Sequence, residues 1–180
     1  MTTPAFSWRE SGIRWLWIAV AAIVLDQITK WWIATHLVMT TRFVRGDVIE
    51  VLPVLNIIYT VNTGAAWSFG EDTAWGRWLF TGLAIVVSVV LFYWLRRLSM
   101  VSQKLLAAGL TLILGGAIGN VLDRIRLGHV VDFVQVYWGN SYFPAFNVAD
   151  SAISIGAVFV VLDALLEAQR ERKLKGAANQ

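Results

Sequence analysis

The stretch from Leu105 to Leu122, LLAAGLTLILGGAIGNVL, decides the fold. It holds no charged residue and is built mostly from Leu, Ala, Ile and Gly. A helix needs about 20 mostly apolar residues to cross a hydrocarbon core of about 30 Å, and this stretch meets that need. Working outward, three more segments qualify. Residues 13–33 carry Asp26, Gln27, Thr29 and Lys30 in their second half, residues 78–95 are uncharged and end on Tyr93 and Trp94, and residues 148–166 include Asp150, Ser151, Ser154 and Asp163. The expectation is a membrane all-α fold, a four-transmembrane-helix bundle forming a single integral membrane domain over residues 1–180. The first segment has Trp-rich flanks and no small-x-small cleavage site soon after it, so it reads as a permanent span rather than a removed leader.

Composition agrees. The 180 residues are 57% apolar and 15% charged, whereas soluble domains average about 45–50% and about 25%. The absence of cysteine excludes disulfides, zinc-thiolate sites, iron–sulfur clusters and cysteine nucleophiles. Ten tryptophans suit a chain with two membrane interfaces. The positive residues near span ends then set the orientation. Arg9, Arg14, Arg96, Arg97, Lys104, Arg170, Arg172, Lys173 and Lys175 fall on one side; Arg42, Arg45, Arg77, Arg124 and Arg126 fall on the other, over longer loops. Both termini are therefore expected in the cytoplasm. The net charge of +3 describes topology, since no concentrated basic face for nucleic acid is present.

The two outer connections are elaborated. Residues 42–61 are β-branched and apolar around Arg45-Gly46-Asp47, with Pro53 interrupting, and predict a small extracytoplasmic β-rich platform. Residues 130–145 predict an outer hairpin, with Gly139-Asn140-Ser141 as its turn. No internal repeat, direct or inverted, is visible.

Ionisable groups in a membrane cost several kcal/mol unless paired or hydrated, so they are functional candidates by default. Asp26 and Lys30 share a helical face four residues apart. Asp26 lies about 20 Å along its span, in the outer half. Gly115, Gly116, Gly119, Asn120, Asp123 and Arg124 close the third span, Asp132 follows it, and Asp150 opens the fourth. All of these fall toward the outer leaflet. Structural readings stand beside the functional ones. Asp26–Lys30 suits an interhelical pair, Asn120 a helix bridge and Asp123 a partner for arginine. The glycines suit close packing, and Asp150 a carboxylate on a helix start. Asp163 reads as interfacial, and His36 and His129 stand alone, with nothing else to indicate haem.

No HExxH, GxSxG or phosphate-cradling glycine loop is present, so the chemistry left is that of carboxylates. Two Asp side chains held together share one proton. The ionised one can deprotonate water while the protonated one donates to a scissile carbonyl. From spacing, Asp132 and Asp150 form the best pair, because both lie at outer ends of adjacent spans.

Five motifs carry a resemblance. They are Asp26-Gln27-Ile28-Thr29-Lys30; Asn62-Thr63-Gly64-Ala65-Ala66-Trp67-Ser68-Phe69; Gly115-Gly116-Ala117-Ile118-Gly119-Asn120 through Asp123-Arg124; Val130-Val131-Asp132-Phe133; and Phe146-Asn147-Val148-Ala149-Asp150-Ser151. In order and spacing the chain resembles the lipoprotein signal peptidases, or signal peptidase II, over residues 13–166. Trp67 departs from the family's more common Phe. The resemblance implies a bacterial inner-membrane aspartic endopeptidase with its active site near the outer leaflet. It would cut prolipoproteins just before a diacylglyceryl-modified cysteine. It implies Asp132 and Asp150 as the catalytic pair. Asn62, Gly64, Gly116, Asn120, Arg124, Asn147 and Ala149 would bind substrate or position the dyad, and Asp26, Lys30 and Asp123 would give structural support. No metal or organic cofactor is expected. The expected partners are a lipid-modified prolipoprotein and membrane lipids, with nothing demanding more than a monomer. An ion-relay bundle is the competing class, but the acids crowd one face of the membrane and the second span offers no charged path across. A non-enzymatic scaffold, with the polar cluster only fixing helix packing, is the third.

Overall fold

The structure, a computed structural model, describes residues 11–41, 44–63, 74–98 and 103–178. Gly64 and the rest of its motif to Phe69, together with Arg9 and Arg42, lie outside the described residues. A short 3-10 turn, Gly12–Trp15, leads into α1 (Leu16–His36), followed by strands β1 (Val48–Leu52) and β2 (Leu55–Asn62). Helix α2 (Ala74–Arg97) returns, and α3 (Lys104–Arg126) leads to strands β3 (Val130–Trp138) and β4 (Ser141–Tyr142). Helix α4 (Val148–Ala178) completes the chain. All four long helices are apolar enough to cross a membrane.

The stretch that decided the fold is the axis of the bundle. Helix α3 is mostly buried and packs against α1, α2 and α4, whereas α2 meets neither α1 nor α4 among the described residues. The three outer helices present Trp17, Val20, Ile28, Leu83, Val86, Val158 and Leu162 outward. In water such exposure would be untenable, and in lipid it needs no cover, because the acyl chains are as apolar as the side chains. A Cβ on Gly116 would collide with the carbonyl oxygen of Ala149 and lie 2.8 Å from the Ile153 side chain. Its missing side chain is what lets the start of α4 lie against α3.

The helices run past the apolar spans, most of all at the ends of α3 and α4. The third span was expected to end at 122, and α3 runs to Arg126, where Gly128 at φ 83° supplies the left-handed terminator. The fourth was expected to end at 166, and α4 runs to Ala178. Hydropathy reads where lipid ends. Residues 167–175 are rich in Glu, Gln, Arg, Lys and Leu, all good helix formers, so the helix continues as a polar one.

The four strands form one antiparallel sheet in the order β1-β2-β3-β4. Pro53 and Val54 turn β1 into β2, and Gly139 (φ 57°) with Asn140 turns β3 into β4. The expected strand region began at 42, but residues 44–47 are irregular and strand pairing starts at Val48. Ile33 of α1 packs with Val131 and Phe133, clamping the sheet to the helix ends.

Candidate active site

Lys30 lies one turn beyond Asp26 on α1, and its ammonium reaches Asp26 at 2.9 Å and Asp123 at 2.8 Å. It also donates to Asn120 Oδ1 at 2.9 Å. An ammonium has three donors, and each meets one oxygen. Lys30 is 3% exposed and Asp26 1%, so the cation ties α1 to α3 in a dry setting. Asp26 carries this further. Its Oδ1 accepts the backbone N–H of Ala149 at 2.9 Å, one of the α4 amides that no helical carbonyl can satisfy. Asp123 Oδ2 also accepts the Val131 N–H at 3.2 Å, which fixes the start of β3 to the end of α3.

Asn120 turns the polarity of this network around. Its oxygen accepts from Lys30, and its Nδ2 donates to Asp150 Oδ1 at 2.8 Å, so the cation on one side and the carboxyl on the other set the amide's orientation. Asn147, fully buried, joins the two acids. It is the residue before α4, and its Oδ1 accepts the Asp150 N–H at 2.9 Å while its own N–H donates to Asp150 Oδ2 at 3.2 Å. This is a capping box with Asn at the cap and Asp three residues on. The same side chain donates through Nδ2 to Asp132 Oδ1 at 2.7 Å. A single residue therefore binds both carboxyl groups.

Asp132 arrives from β3, where it pairs with Thr60 of β2. Asn62, two residues on from Thr60 and on the same face of the sheet, also hydrogen-bonds the Asp132 carboxyl. Burial first, and then the Asp150 charge, push the Asp132 carboxyl up to about 7; the bonds from Asn147 and Asn62 and the Lys30 charge pull the other way. Arg124, on the last turn of α3, lies within electrostatic reach of Asp150, Asp132 and Asp123.

Most of the residues singled out in the sequence thus meet in one place. Asp26, Lys30, Asn120, Asp123, Arg124, Asp132, Asn147 and Asp150 form one connected polar cluster, with Asn62 on its sheet side. Gly116 and Ala149 contribute closeness of the backbones. Gln27 was passed over. Its Nε2 donates to Asp123 Oδ1 at 2.9 Å and to Asp26 Oδ2 at 3.2 Å, and its Oε1 accepts from Arg126 at 3.3 Å. A polar side chain inside an apolar span, next to an acid, was the available signal.

The family model described as Signal peptidase (SPase) II matches residues 18–166. The Lipoprotein signal peptidase of Shewanella halifaxensis is 43% identical over 171 residues, which cover 94% of this chain and 96% of that protein. The protein of the same name from Shewanella oneidensis is 44% identical over 167 residues, covering 92% and 94%. Among solved structures, a bacterial membrane enzyme determined by the in meso method at 2.3 Å superposes with a TM-score of 0.73 at 33% identity, covering 87% of this chain and 89% of that one. A second, at 1.9 Å, gives 0.71 at 32% identity, covering 84% and 92%. From one end of the bundle to the other, by sequence and by fold, this multi-pass membrane chain belongs to the signal peptidase II family.

Proposed function

We propose that this member is an aspartic endopeptidase that frees diacylglyceryl-modified prolipoproteins of their signal peptides, cutting just before the lipidated cysteine. The observation that carries the reading is the double hold of Asn147 on Asp132 and Asp150. With one proton between two carboxyl groups, Asp132 keeps it and Asp150 acts as the base. Asp150 takes a proton from water, the resulting hydroxide attacks the scissile carbonyl carbon, and Asp132 donates to the carbonyl oxygen. Collapse of the tetrahedral intermediate re-forms the C=O and breaks the C–N bond; the oxygen returns its proton to Asp132, and the departing cysteine amine receives the proton that Asp150 took from water. Asn62 and Arg124 supply hydrogen bonds to a substrate backbone unwound at membrane depth, where lipid offers none. Both termini face the cytoplasm and the site opens at the outer leaflet, so an acyl-anchored substrate arrives by lateral diffusion.

Cleavage of a purified lipidated precursor, followed by mass spectrometry and by rate against pH, tests the reading. The expected product begins with the lipid-bearing cysteine, and the unlipidated precursor stays intact. The rate should fall about tenfold per pH unit above about 7, as Asp132 loses the proton it must donate. A cut elsewhere, equal cutting without the lipid, or a rate unchanged to pH 9 contradicts it.

A further inference from the structure

A second polar pocket, of about 440 Å³, lies between the chain after α1 and the sheet. Thr40 and Arg45 line it from the connection, and Glu50, Asn56, Gln135, Tyr137 and Tyr142 from the strands. Glu50 pairs with Asn56, and Asn56 with Gln135, so these three form one row across β1, β2 and β3. Side chains alternate along a strand, so Gln135 and Tyr137 project from the face of β3 opposite Asp132. The pocket is therefore separate from the carboxyl pair.

Its chemistry is specific. Asn56 is 9% exposed, yet among the described residues its Oδ1 has no hydrogen-bond partner, and neither has the buried Thr40 Oγ1. A buried acceptor left unmet costs free energy that a bound donor would return. Arg45 and Glu50 carry opposite charges into one pocket without forming an ion pair. The Tyr137 and Tyr142 rings stack with centroids 5.6 Å apart and present an aromatic wall to a cation. The surroundings are those of a membrane surface. All of β1 is exposed, including Val48, Ile49, Val51 and Leu52, as are Trp138 and Phe143 at the hairpin. An apolar edge strand in water invites aggregation, whereas lipid covers it, and aromatic residues gather at that boundary.

We propose that this pocket binds the head group of a zwitterionic phospholipid bearing a primary amine. Arg45 holds the phosphate, and Glu50 and Asn56 Oδ1 accept N–H bonds from the ammonium over the tyrosine wall. A trimethylated ammonium has no N–H to give, so the site discriminates ethanolamine from choline head groups. The lipid seats the sheet at a fixed depth, independently of what the carboxyl pair does.

The test uses the full chain, delipidated in detergent and offered equimolar phosphatidylethanolamine and phosphatidylcholine of the same acyl chains, with bound lipid counted by native mass spectrometry. The wild type should retain the ethanolamine lipid about tenfold over the choline lipid. Glu50→Gln should lower that ratio severalfold, because a neutral amide oxygen replaces the charged acceptor while Asn56 Oδ1 remains, and Arg45→Gln should weaken both lipids together, since both carry the phosphate. Both substitutions are at exposed positions away from the acids, so cleavage in detergent should persist and report a folded protein. Equal retention of the two lipids by the wild type, or a preference that Glu50→Gln leaves undiminished, overturns the proposal. So does O-phosphoethanolamine competing as strongly as the lipid, or displacement of the lipid by a peptide matching the precursor chain after its cysteine.

Discussion

Replacing Asp132 by Asn is expected to yield a folded, membrane-inserted protein whose cleavage of a lipidated precursor is lower by a factor of about 10³ or more. The substitution keeps the shape and keeps an oxygen for the Asn147 and Asn62 amides, so the polar cluster survives. What it removes is the proton that, in the proposed mechanism, passes to the substrate's carbonyl oxygen. Burial and the Asp150 charge hold that proton on Asp132 up to about pH 7. The unfolded chain loses it near the ordinary carboxylate value of 3.8, so the folded state binds more protons between these values. This group's contribution to stability is therefore greatest at low pH and declines as pH rises toward 7. Asp132→Asn should accordingly be no less stable than the wild type at neutral pH while being inactive. Asp150→Asn should be equally inactive, because an amide cannot deprotonate water. Normal cleavage by either variant would remove that residue from the chemistry, and unfolding of both would return the pair to a packing role.

Lys30→Met should lower stability in detergent by about 3–5 kcal/mol, the range for stripping one partner from a buried ion pair. Methionine fills a similar length but leaves Asp26 and Asp123 facing each other where one ammonium lay 2.9 and 2.8 Å away. Asn120 also loses the Lys30 donor and keeps only the longer bond from Asn147 Nδ2 at 3.3 Å, so the constraint that points its amide at Asp150 weakens. Adding Asp26→Asn and Asp123→Asn should recover part of the loss, because the stranded charges are then gone. If melting stays unchanged while cleavage disappears, Lys30 contacts substrate instead of holding the helices.

The same residues show how far sequence reasoning reaches. Asp26 and Lys30 were paired from their spacing alone, since one turn of helix is a local fact. That Lys30 also reaches Asp123 and Asn120 depends on which faces of α1 and α3 meet, and hydropathy carries no such information. Asp132 and Asp150 were matched as the ends of adjacent spans. The bond that joins them through Asn147 leaves a local trace, because Asn147-Val148-Ala149-Asp150 before an apolar run has the spacing of a capping box. Only the resemblance places Asn62 at the pair, since spacing does not give its contact with Asp132. That contact rests on the register between β2 and β3, which are distant in sequence, and that register shifts between Ile57 and Thr60. The polar pocket was hidden for a related reason: its row of Glu50, Asn56 and Gln135 exists only once three strands are aligned.

An infrared titration of the carboxyl groups in the intact protein tests the shared proton most directly. The wild type should show a protonated carboxyl that titrates near pH 7, that is absent in Asp132→Asn, and that moves to lower pH in Asp150→Asn, where the neighbouring charge is gone. A spectrum with no carboxyl titrating above about pH 5, or a transition that Asp150→Asn leaves in place, would contradict the account.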